Sequence, residues 1–190
     1  FDIPVTLPSV LNVHIGDPGQ TVLKKNQVSL GFSDIKGVGE SQVDKIINAI
    51  NALEAKIGHV STWKWIDYLV KLFPIISSTS VNGLISAGAL SHLGKTRTSM
   101  LFEYNIFKEL TDAQIKYLDC KDLQDLGEIL SYLSGHNKVR NKEKIEGLLH
   151  IYKHAGYALT DGVSVISNME NEFLDISLSC TKLDGCEHAI

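Results

Sequence analysis

Residues 30–50 read LGFSDIKGVGESQVDKIINAI, a pattern that predicts a short helix, a tight turn and a second helix. Gly37 and Gly39 flank the apolar Val38, and glycine in a turn adopts positive φ angles and lets another molecule approach the backbone closely. Ser41 can cap the second helix. That helix has one apolar face, because four residues recur at steps of three and four: Val43, Ile46, Ile47 and Ile50.

The start of the second helix is a predicted anion site. Unpaired backbone N–H groups and the positive end of the helix dipole coincide at a helix N-terminus, where a phosphate oxygen fits. The hairpin at residues 35–40 (IKGVGE) resembles the helix-hairpin-helix motif, which binds the DNA backbone without reading its sequence. The alternative interpretation is a helical corner that touches no nucleic acid.

The resemblance assigns roles to the hairpin residues. It implies that the N–H groups of Gly37, Gly39 and Ser41 meet phosphate oxygens, that Lys36 neutralises one phosphate, and that Val38 holds the turn in shape. The first predicted DNA-binding set is therefore Lys36, Gly37, Val38, Gly39, Glu40 and Ser41.

Composition limits the kind of nucleic-acid binding that we expect. The chain has 190 residues, of which 44% are hydrophobic, so it can bury one good core or two small ones. Its net charge of −4 provides no general attraction for nucleic acid, but a hairpin needs only local donors and one or two cations. Arginine, which suits base-edge recognition, occurs only at Arg97 and Arg140. We therefore expect no sequence-specific recognition.

Several phrases beyond the hairpin, in the right order, resemble bacterial C-family replicative polymerases (the polymerase III alpha subunit). Residues 3–5 (IPV), 7–12 (LPSVLN) and 28–32 (VSLGF) precede the hairpin as in that family, and residues 58–69 (GHVSTWKWIDYL) follow it. Residues 170–180 (ENEFLDISLSC) resemble the connector that leads to an oligonucleotide-binding fold, except that Asp175 stands where the family has glycine.

A second hairpin is implied by the same resemblance at residues 81–97 (VNGLISAGALSHLGKTR). Gly88 takes the place of the hairpin glycine, and Lys95, Thr96 and Arg97 stand at a helix start, where their side chains can supplement N–H donors on phosphate. Two such units side by side can reach both strands across a minor groove. For Lys95 and Arg97 the alternative is a solvated helix end.

The expected fold is mainly α. It consists of an extended segment at residues 1–29, a tandem helix-hairpin-helix domain at residues 30–110, and a helical connector at residues 111–190 toward a missing C-terminal domain. We expect Trp63 and Trp65 to pack in the core, because apolar neighbours at helical spacing surround them. The basic stretch at residues 135–142 (GHNKVRNK) is interpreted as a solvated linker, with contact to a nucleic-acid backbone as the alternative.

The sequence shows no catalytic or metal-binding motif. There is no Asp-x-Asp in a strand-like run, no Walker glycine loop and no supported Ser/His/Asp set, so we assign no catalytic residues and leave enzymatic activity open. Three cysteines (Cys120, Cys180 and Cys186) are interpreted as inert thiols in a reducing, cytoplasmic setting of a bacterial or phage-infected cell; a metal site with His188 is the weaker alternative. No apolar run is long enough for a membrane span, and because the chain opens on Phe1 we expect a piece of a larger protein.

The resemblance implies that this chain itself catalyses no reaction. The chain would be the non-catalytic, duplex-backbone-binding portion of a replicative DNA polymerase alpha subunit, with primer-template DNA and the remaining polymerase chains as partners. It would need no cofactor itself, whereas the complete polymerase would use Mg²⁺. The alternative is a helical module that docks other polymerase or replisome chains without touching DNA. A stand-alone enzyme is a third interpretation, which the missing carboxylates argue against.

Overall fold

The computed structural model describes residues 4–13, 21–24, 27–119, 121–156 and 158–180. These residues are mostly helical, as expected, with a small sheet near the N-terminus. None of the helices in the described ranges is both long enough and apolar enough to cross a membrane. Residue 3 of the first phrase, Cys120, Cys186 and His188 lie outside the described residues.

The extended segment at the N-terminus forms a three-stranded sheet in the order β1-β3-β2. Strands β1 (Val5–Thr6) and β3 (Gln27–Ser29) are parallel, and β2 (Val22–Lys24) runs antiparallel to β3. A 3₁₀ turn, Val10–Asn12, follows β1 and carries the fully buried Val10. The sheet is therefore short and lies immediately before the first hairpin in sequence.

The first hairpin departs from expectation in its leading helix. In place of a short α-helix there is one 3₁₀ turn, Phe32–Asp34. The Asp34 carboxylate accepts hydrogen bonds from the Gly31 N–H (2.6 Å) and from the Thr21 hydroxyl (2.8 Å), and Ile35 is already extended at φ −83° and ψ 119°. The turn therefore closes after three residues, because the Asp34 side chain bonds back to the backbone in competition with a longer helix.

The second helix of this hairpin is α1 (Glu40–Ile57). Its buried face agrees with the predicted apolar stripe, with Ile47 half-buried beside it, and consists of Val43, Ile46, Ala49, Ile50 and Leu53. With 18 residues it is about 27 Å long. Gly58, at φ +93°, ends it.

Trp63 packs in the core, as expected, whereas Trp65 is partly buried and packs against that core. After the 3₁₀ turn Val60–Thr62, α2 (Trp65–Asp67) continues as one π-helical turn, Tyr68–Leu72. Trp63 is 4% exposed and donates from its indole N–H to the Gly58 carbonyl at 2.7 Å. The indole of Trp65 donates to the Glu103 carboxylate at 2.6 Å and meets the Phe73 ring edge-on.

The remaining helices complete one hydrophobic cluster that runs from Val10 to Leu174. They are α3 (Ser78–Ser86), α4 (Arg97–Phe107) after a 3₁₀ turn at Ser91–Leu93, α5 (Asp112–Lys116), α6 (Leu126–Gly135), α7 (Lys142–Lys153) and α8 (Val163–Leu174). α6 and α7 pack against each other, and α8 packs against α3. Buried residues on both sides of residue 110 thus share one cluster, and the proposed domain boundaries stay predictions.

Candidate nucleic-acid interface

The tip of the first hairpin is exposed, whereas its centre is buried. Val38 is 3% exposed and sits beneath the turn, as expected. The residues around it face solvent: Lys36, Gly37, Gly39, Glu40 and Ser41. The sequence therefore folds into a loop that shows its backbone to solvent and holds its one apolar side chain inside.

Helix α3 supports this loop from behind. A Cβ on Gly37, which has φ +84°, would lie 2.9 Å from Thr79 Cγ2, and a Cβ on Gly83 would lie 2.8 Å from Ile35 Cγ2 and 3.4 Å from Val38 Cγ2. Glycine at both positions is thus required for the hairpin to pack on α3. The supporting role of Gly83 is absent from the sequence-based prediction, because nothing local at residue 83 shows that the hairpin packs there.

Several backbone donors at the tip remain available. Lys36 N–H donates to the Phe173 carbonyl at 2.8 Å, and Val38 N–H donates to the Ile35 carbonyl at 3.0 Å. Within the described parts of the chain, no hydrogen bond starts from the N–H of four residues: Gly37, Gly39, Glu40 and Ser41. These donors cluster at the N-terminus of α1, where the helix dipole also favours an anion.

Gly39 has no structural reason to be glycine. Its backbone, at φ −73° and ψ 167°, is open to any residue, and a Cβ built there meets no atom within 4 Å. Gly37 differs, since both its positive φ and its packing on Thr79 require glycine. A side chain is thus missing at Gly39, beside the unpaired donors, where the fold would accept one.

The charges at the tip are few. The exposed Lys36 provides one cation at the turn, and Glu40 lies in the first turn of α1, where it interacts favourably with the helix dipole but would repel an incoming phosphate. Attraction for an anion therefore depends mainly on the N–H groups and on Lys36.

The second hairpin is closed by its own structure. Gly88 is buried, has φ +77°, and its N–H donates to the Ile85 carbonyl at 3.1 Å. A Cβ on Gly88 would lie 2.6 Å from Arg97 Nη2 and 2.9 Å from Leu7 Cδ1. Gly88 is the glycine of a turn, and Arg97 and Leu7 cover it. Its contact with DNA stays a prediction, against which this cover argues.

Arg97 is likewise an internal residue rather than a surface cation. It is 6% exposed, Nη2 lies 2.7 Å from Glu170 Oε1, and Nη1 donates to the Ser86 carbonyl at 2.9 Å. Glu170 is itself fully buried and also accepts from the Leu178 N–H (2.6 Å) and the Ser179 N–H (2.8 Å). The interpretation of Arg97 as part of a solvated helix end is therefore wrong, and its contact with a phosphate stays a prediction, against which this buried ion pair argues.

The Glu170 carboxylate is stabilised in its charged form. Burial by itself would raise its pKa, but hydrogen bonds from the hydroxyl and N–H of Ser179, from Arg97 and from the Leu178 N–H outweigh that penalty and hold the pKa below its usual value of 4.5. The pair is thus an ionised bridge between the second hairpin and the C-terminal helix.

A carboxylate already occupies the N-terminus of α4. Asp161 accepts hydrogen bonds from the N–H groups of Arg97 (2.7 Å) and Thr98 (2.9 Å), and from the Thr98 hydroxyl (2.8 Å). The Thr96 hydroxyl donates to the Leu159 carbonyl at 2.7 Å. The donors on which the second phosphate contact depended are therefore taken up by residues 159–161.

Lys95 is also paired within the chain. Its Nζ lies 2.7 Å from Glu103 Oε1, and its side chain is 30% exposed. The predicted set of Gly88, Lys95, Thr96 and Arg97 is thus brought together in space, but by contacts inside the chain. Asp161 and Glu170 carry the contacts of Arg97, and no local pattern connects either of them with a residue more than sixty positions earlier.

The comparison with known families agrees with the two-hairpin architecture. A family model described as a helix-hairpin-helix motif matches residues 5–100, which is half of the chain and includes both hairpins. This match indicates nucleic-acid binding in general. No curated protein matches the chain.

Proposed function

This chain belongs to the helix-hairpin-helix motif family, and from that premise we propose that its first hairpin binds the sugar–phosphate backbone of duplex DNA without reading its sequence. The observation that carries the proposal is the cluster of unpaired N–H groups from Gly37 to Ser41 beside a glycine at position 39 that the fold does not need. Glycine loses more backbone entropy on folding than any other residue, so a glycine that the fold does not need is unfavourable. Close approach of another molecule to the backbone explains why glycine stands at position 39.

The chemistry of the site fits a phosphate. Backbone N–H groups at a helix N-terminus donate to phosphate oxygens. Lys36 adds a positive charge on a flexible side chain, which can approach a phosphate from several directions. Neither arginine of the chain lies at this tip, since Arg97 is buried and Arg140 lies between α6 and α7. Base edges are read mainly by forked side chains in a groove, so this surface positions a duplex and does not select a sequence.

We place this binding in template-directed DNA synthesis. The order of phrases around both hairpins supports a non-catalytic portion of a replicative polymerase alpha subunit, which would hold the primer-template duplex while the remaining polymerase chains carry out the chemistry. Within the described residues, no group of three or more His, Cys, Asp or Glu side chains could hold a metal ion. The Mg²⁺ of such a polymerase would bind to another part of it.

One observation favours a second function, the docking of another polymerase or replisome chain. The second hairpin, whose phosphate site Asp161 fills, is used as internal structure. The net charge of −4 agrees with a protein partner as well as it does with DNA. The two functions differ in salt dependence, because phosphate contacts release counterions and weaken steeply as salt rises, whereas apolar docking does not.

The test is binding of the chain to a fluorescein-labelled primer-template duplex, measured by anisotropy at 50 and 200 mM salt. The variant is Lys36→Glu, and the matched control is Lys56→Glu. Both lysines are exposed, both changes alter the charge by two units, and residue 56 lies about 24 Å from the start of α1 at residue 40. Circular dichroism confirms that each variant is folded.

We expect sequence-independent binding that weakens with salt and that Lys36→Glu reduces far more than Lys56→Glu does. Equal losses in the two variants would mean that the hairpin is not the site. Absence of binding by the unaltered chain at 50 mM salt would reject DNA binding and leave the docking function.

A further inference from the structure

Three rings form a surface cluster at the end of α6, away from both hairpins in sequence. The ring centroid of His136 lies 4.7 Å from that of Tyr117 and 5.5 Å from that of Tyr132. Lys121 Nζ lies 5.4 Å from the centre of the Tyr132 ring, within cation–π range. All three rings are only half-buried, so each keeps part of its surface open to solvent. We call Tyr117, Tyr132 and His136 the aromatic cluster.

The turn that follows α6 is held in place beside this cluster. Lys138 N–H donates to His136 Nδ1 at 3.3 Å, which leaves Nε2 of the neutral ring as the donor. Val139 is 5% exposed and anchors the turn in the core, while the Gln114 side-chain amide donates to the Arg140 carbonyl at 3.2 Å. Because these anchors fix the backbone, the side chains of Lys138 and Arg140 remain exposed at a defined place.

A pocket of about 570 Å³ opens between α6 and this turn. It is lined by Ser131, Tyr132, Gly135, His136, Asn137 and Lys138. The lining contains two rings, one cation, a hydroxyl and an amide, and it contains no carboxylate. The chain as a whole carries more acidic than basic residues, so a pocket without any acid differs from its average surface.

This combination of groups selects a class of ligand. A flat ring system gains stacking energy on exposed aromatic side chains, and an attached phosphate gains from a nearby cation. Hydroxyl and amide groups can then donate to or accept from the edge of the ring. Bases inside a duplex are stacked on one another and cannot enter such a pocket, whereas the bases of a single strand can.

We propose that this pocket binds an unpaired nucleotide of a single-stranded nucleic acid. The planes of the Tyr132 and His136 rings lie 54° apart, so the base stacks on one of the two and meets the other with its edge. The flanking phosphates lie against Lys138 and Arg140. The proposal concerns a second site with a different ligand, so it stands or falls separately from duplex binding by the first hairpin. It also gives the basic stretch at residues 135–142 a role other than that of a solvated linker.

The experiment compares a fluorescein-labelled twelve-nucleotide oligo-dT with a blunt duplex of random sequence, both titrated with the full 190-residue chain. The variant is Lys138→Glu, and Lys56→Glu, at an exposed lysine outside both proposed sites, is the charge-matched control. We expect Lys138→Glu to weaken oligo-dT binding by at least about fivefold and Lys56→Glu to leave it within about twofold. For the duplex we expect Lys138→Glu to cause a smaller loss than it does for oligo-dT.

The stacking itself is tested by cross-linking, which does not depend on a variant that must fold. An oligonucleotide with 5-iodouracil in place of thymine is irradiated with the unaltered chain, and the adduct is mapped by mass spectrometry. We expect adducts at Tyr132 or His136. A Tyr132→Leu variant, which keeps the apolar packing but removes the ring, should lose any adduct at residue 132 and at least about fivefold in affinity.

Three results would overturn the proposal. The first is absence of oligo-dT binding at 50 mM salt. The second is a Lys138→Glu variant that binds oligo-dT as tightly as the unaltered chain does. The third is cross-linking only at residues outside the pocket.

Discussion

Two glycines of the first hairpin, only two positions apart, should respond in opposite ways to the same substitution. In Gly37→Ala the new Cβ enters a backbone at φ +84° and lies 2.9 Å from Thr79 Cγ2. In Gly39→Ala the Cβ enters a backbone at φ −73° and meets no atom within 4 Å. The first change disturbs the fold, and the second disturbs only what approaches the tip from outside.

The magnitudes follow from these contacts. A left-handed conformation costs an L-residue about 1–2 kcal/mol, and the contact with Thr79 adds to that, so Gly37→Ala should lower the free energy of unfolding by about 2 kcal/mol or more. For a chain of 190 residues this is a fall in Tm of about 4–8 °C. Gly39→Ala should change the free energy of unfolding by no more than about 0.5 kcal/mol. Alanine is a poorer N-cap than glycine, but it also restricts the unfolded chain, and the two effects offset each other.

Two assays separate the effects. Urea denaturation followed by tryptophan fluorescence gives the free energy of unfolding, because Trp63 is buried in the core. Anisotropy with the primer-template duplex gives the affinity. We expect Gly39→Ala to keep the stability of the unaltered chain and to lose about tenfold or more in affinity, because a methyl group beside the donors holds the phosphate away from them.

The reasoning would be refuted by either of two results. If Gly39→Ala binds the duplex as tightly as the unaltered chain does, close approach at Gly39 is not the reason for its glycine. If Gly39→Ala loses as much stability as Gly37→Ala, the fold requires a glycine there after all.

Three further predictions concern the closed second hairpin and the response to pH. Glu170→Gln should lower the free energy of unfolding by about 3 kcal/mol, because Arg97 would stay buried without its charged partner; urea denaturation measures this, and a loss below about 1 kcal/mol would contradict it. Asp161→Ala should cost about 1–2 kcal/mol through the lost cap of α4, seen as a lower Tm, whereas Asp161→Asn, which keeps one acceptor oxygen, should cost less. Acidification should destabilise the chain in two steps. Burial lowers the pKa of His92 from its usual 6.5, so the unfolded chain binds this proton more readily than the folded chain and the free energy of unfolding falls as pH drops below 6.5. The pKa of Glu170 is also lowered, so the stability that its carboxylate contributes is present above pH 4.5 and is lost as pH falls below that value. Urea denaturation at pH 7, 5.5 and 4 checks the sign, and a stability that rises on acidification would contradict it.

The first hairpin could be predicted from sequence because its signals are local. Two glycines around Val38 specify the turn, and the apolar repeat from Val43 to Ile50 specifies α1 and the face that it buries. The leading helix is shorter than the pattern predicts, one 3₁₀ turn, for an equally local reason. The Asp34 carboxylate accepts a hydrogen bond from the Gly31 N–H, and a residue pattern does not show whether such a side-chain bond or a longer helix forms.

The state of the second hairpin could not be predicted from its own residues. Gly88 and Arg97 match the expected phrase, but Arg97 is bound by Asp161 and Glu170, 64 and 73 residues after it, and Gly88 is covered by Arg97 and Leu7. Arginine at a helix start looks the same in sequence whether it faces solvent, a phosphate or a buried carboxylate. Only the packing of α8 on α3 brings Glu170 to it and distinguishes these cases.

The two hairpins therefore differ in what fills the anion position at the start of their second helix. In the first hairpin no group of the described chain accepts a hydrogen bond from the N–H groups of Gly39, Glu40 and Ser41. In the second that position holds the Asp161 carboxylate, and a phosphate could enter only if residues 159–161 left. Glu170 lies in α8, so a movement of α8 with them would also break its ion pair with the buried Arg97. The second hairpin is therefore harder to open than the first, and the duplex binding that we propose would depend on the hairpin at Gly37 and Gly39.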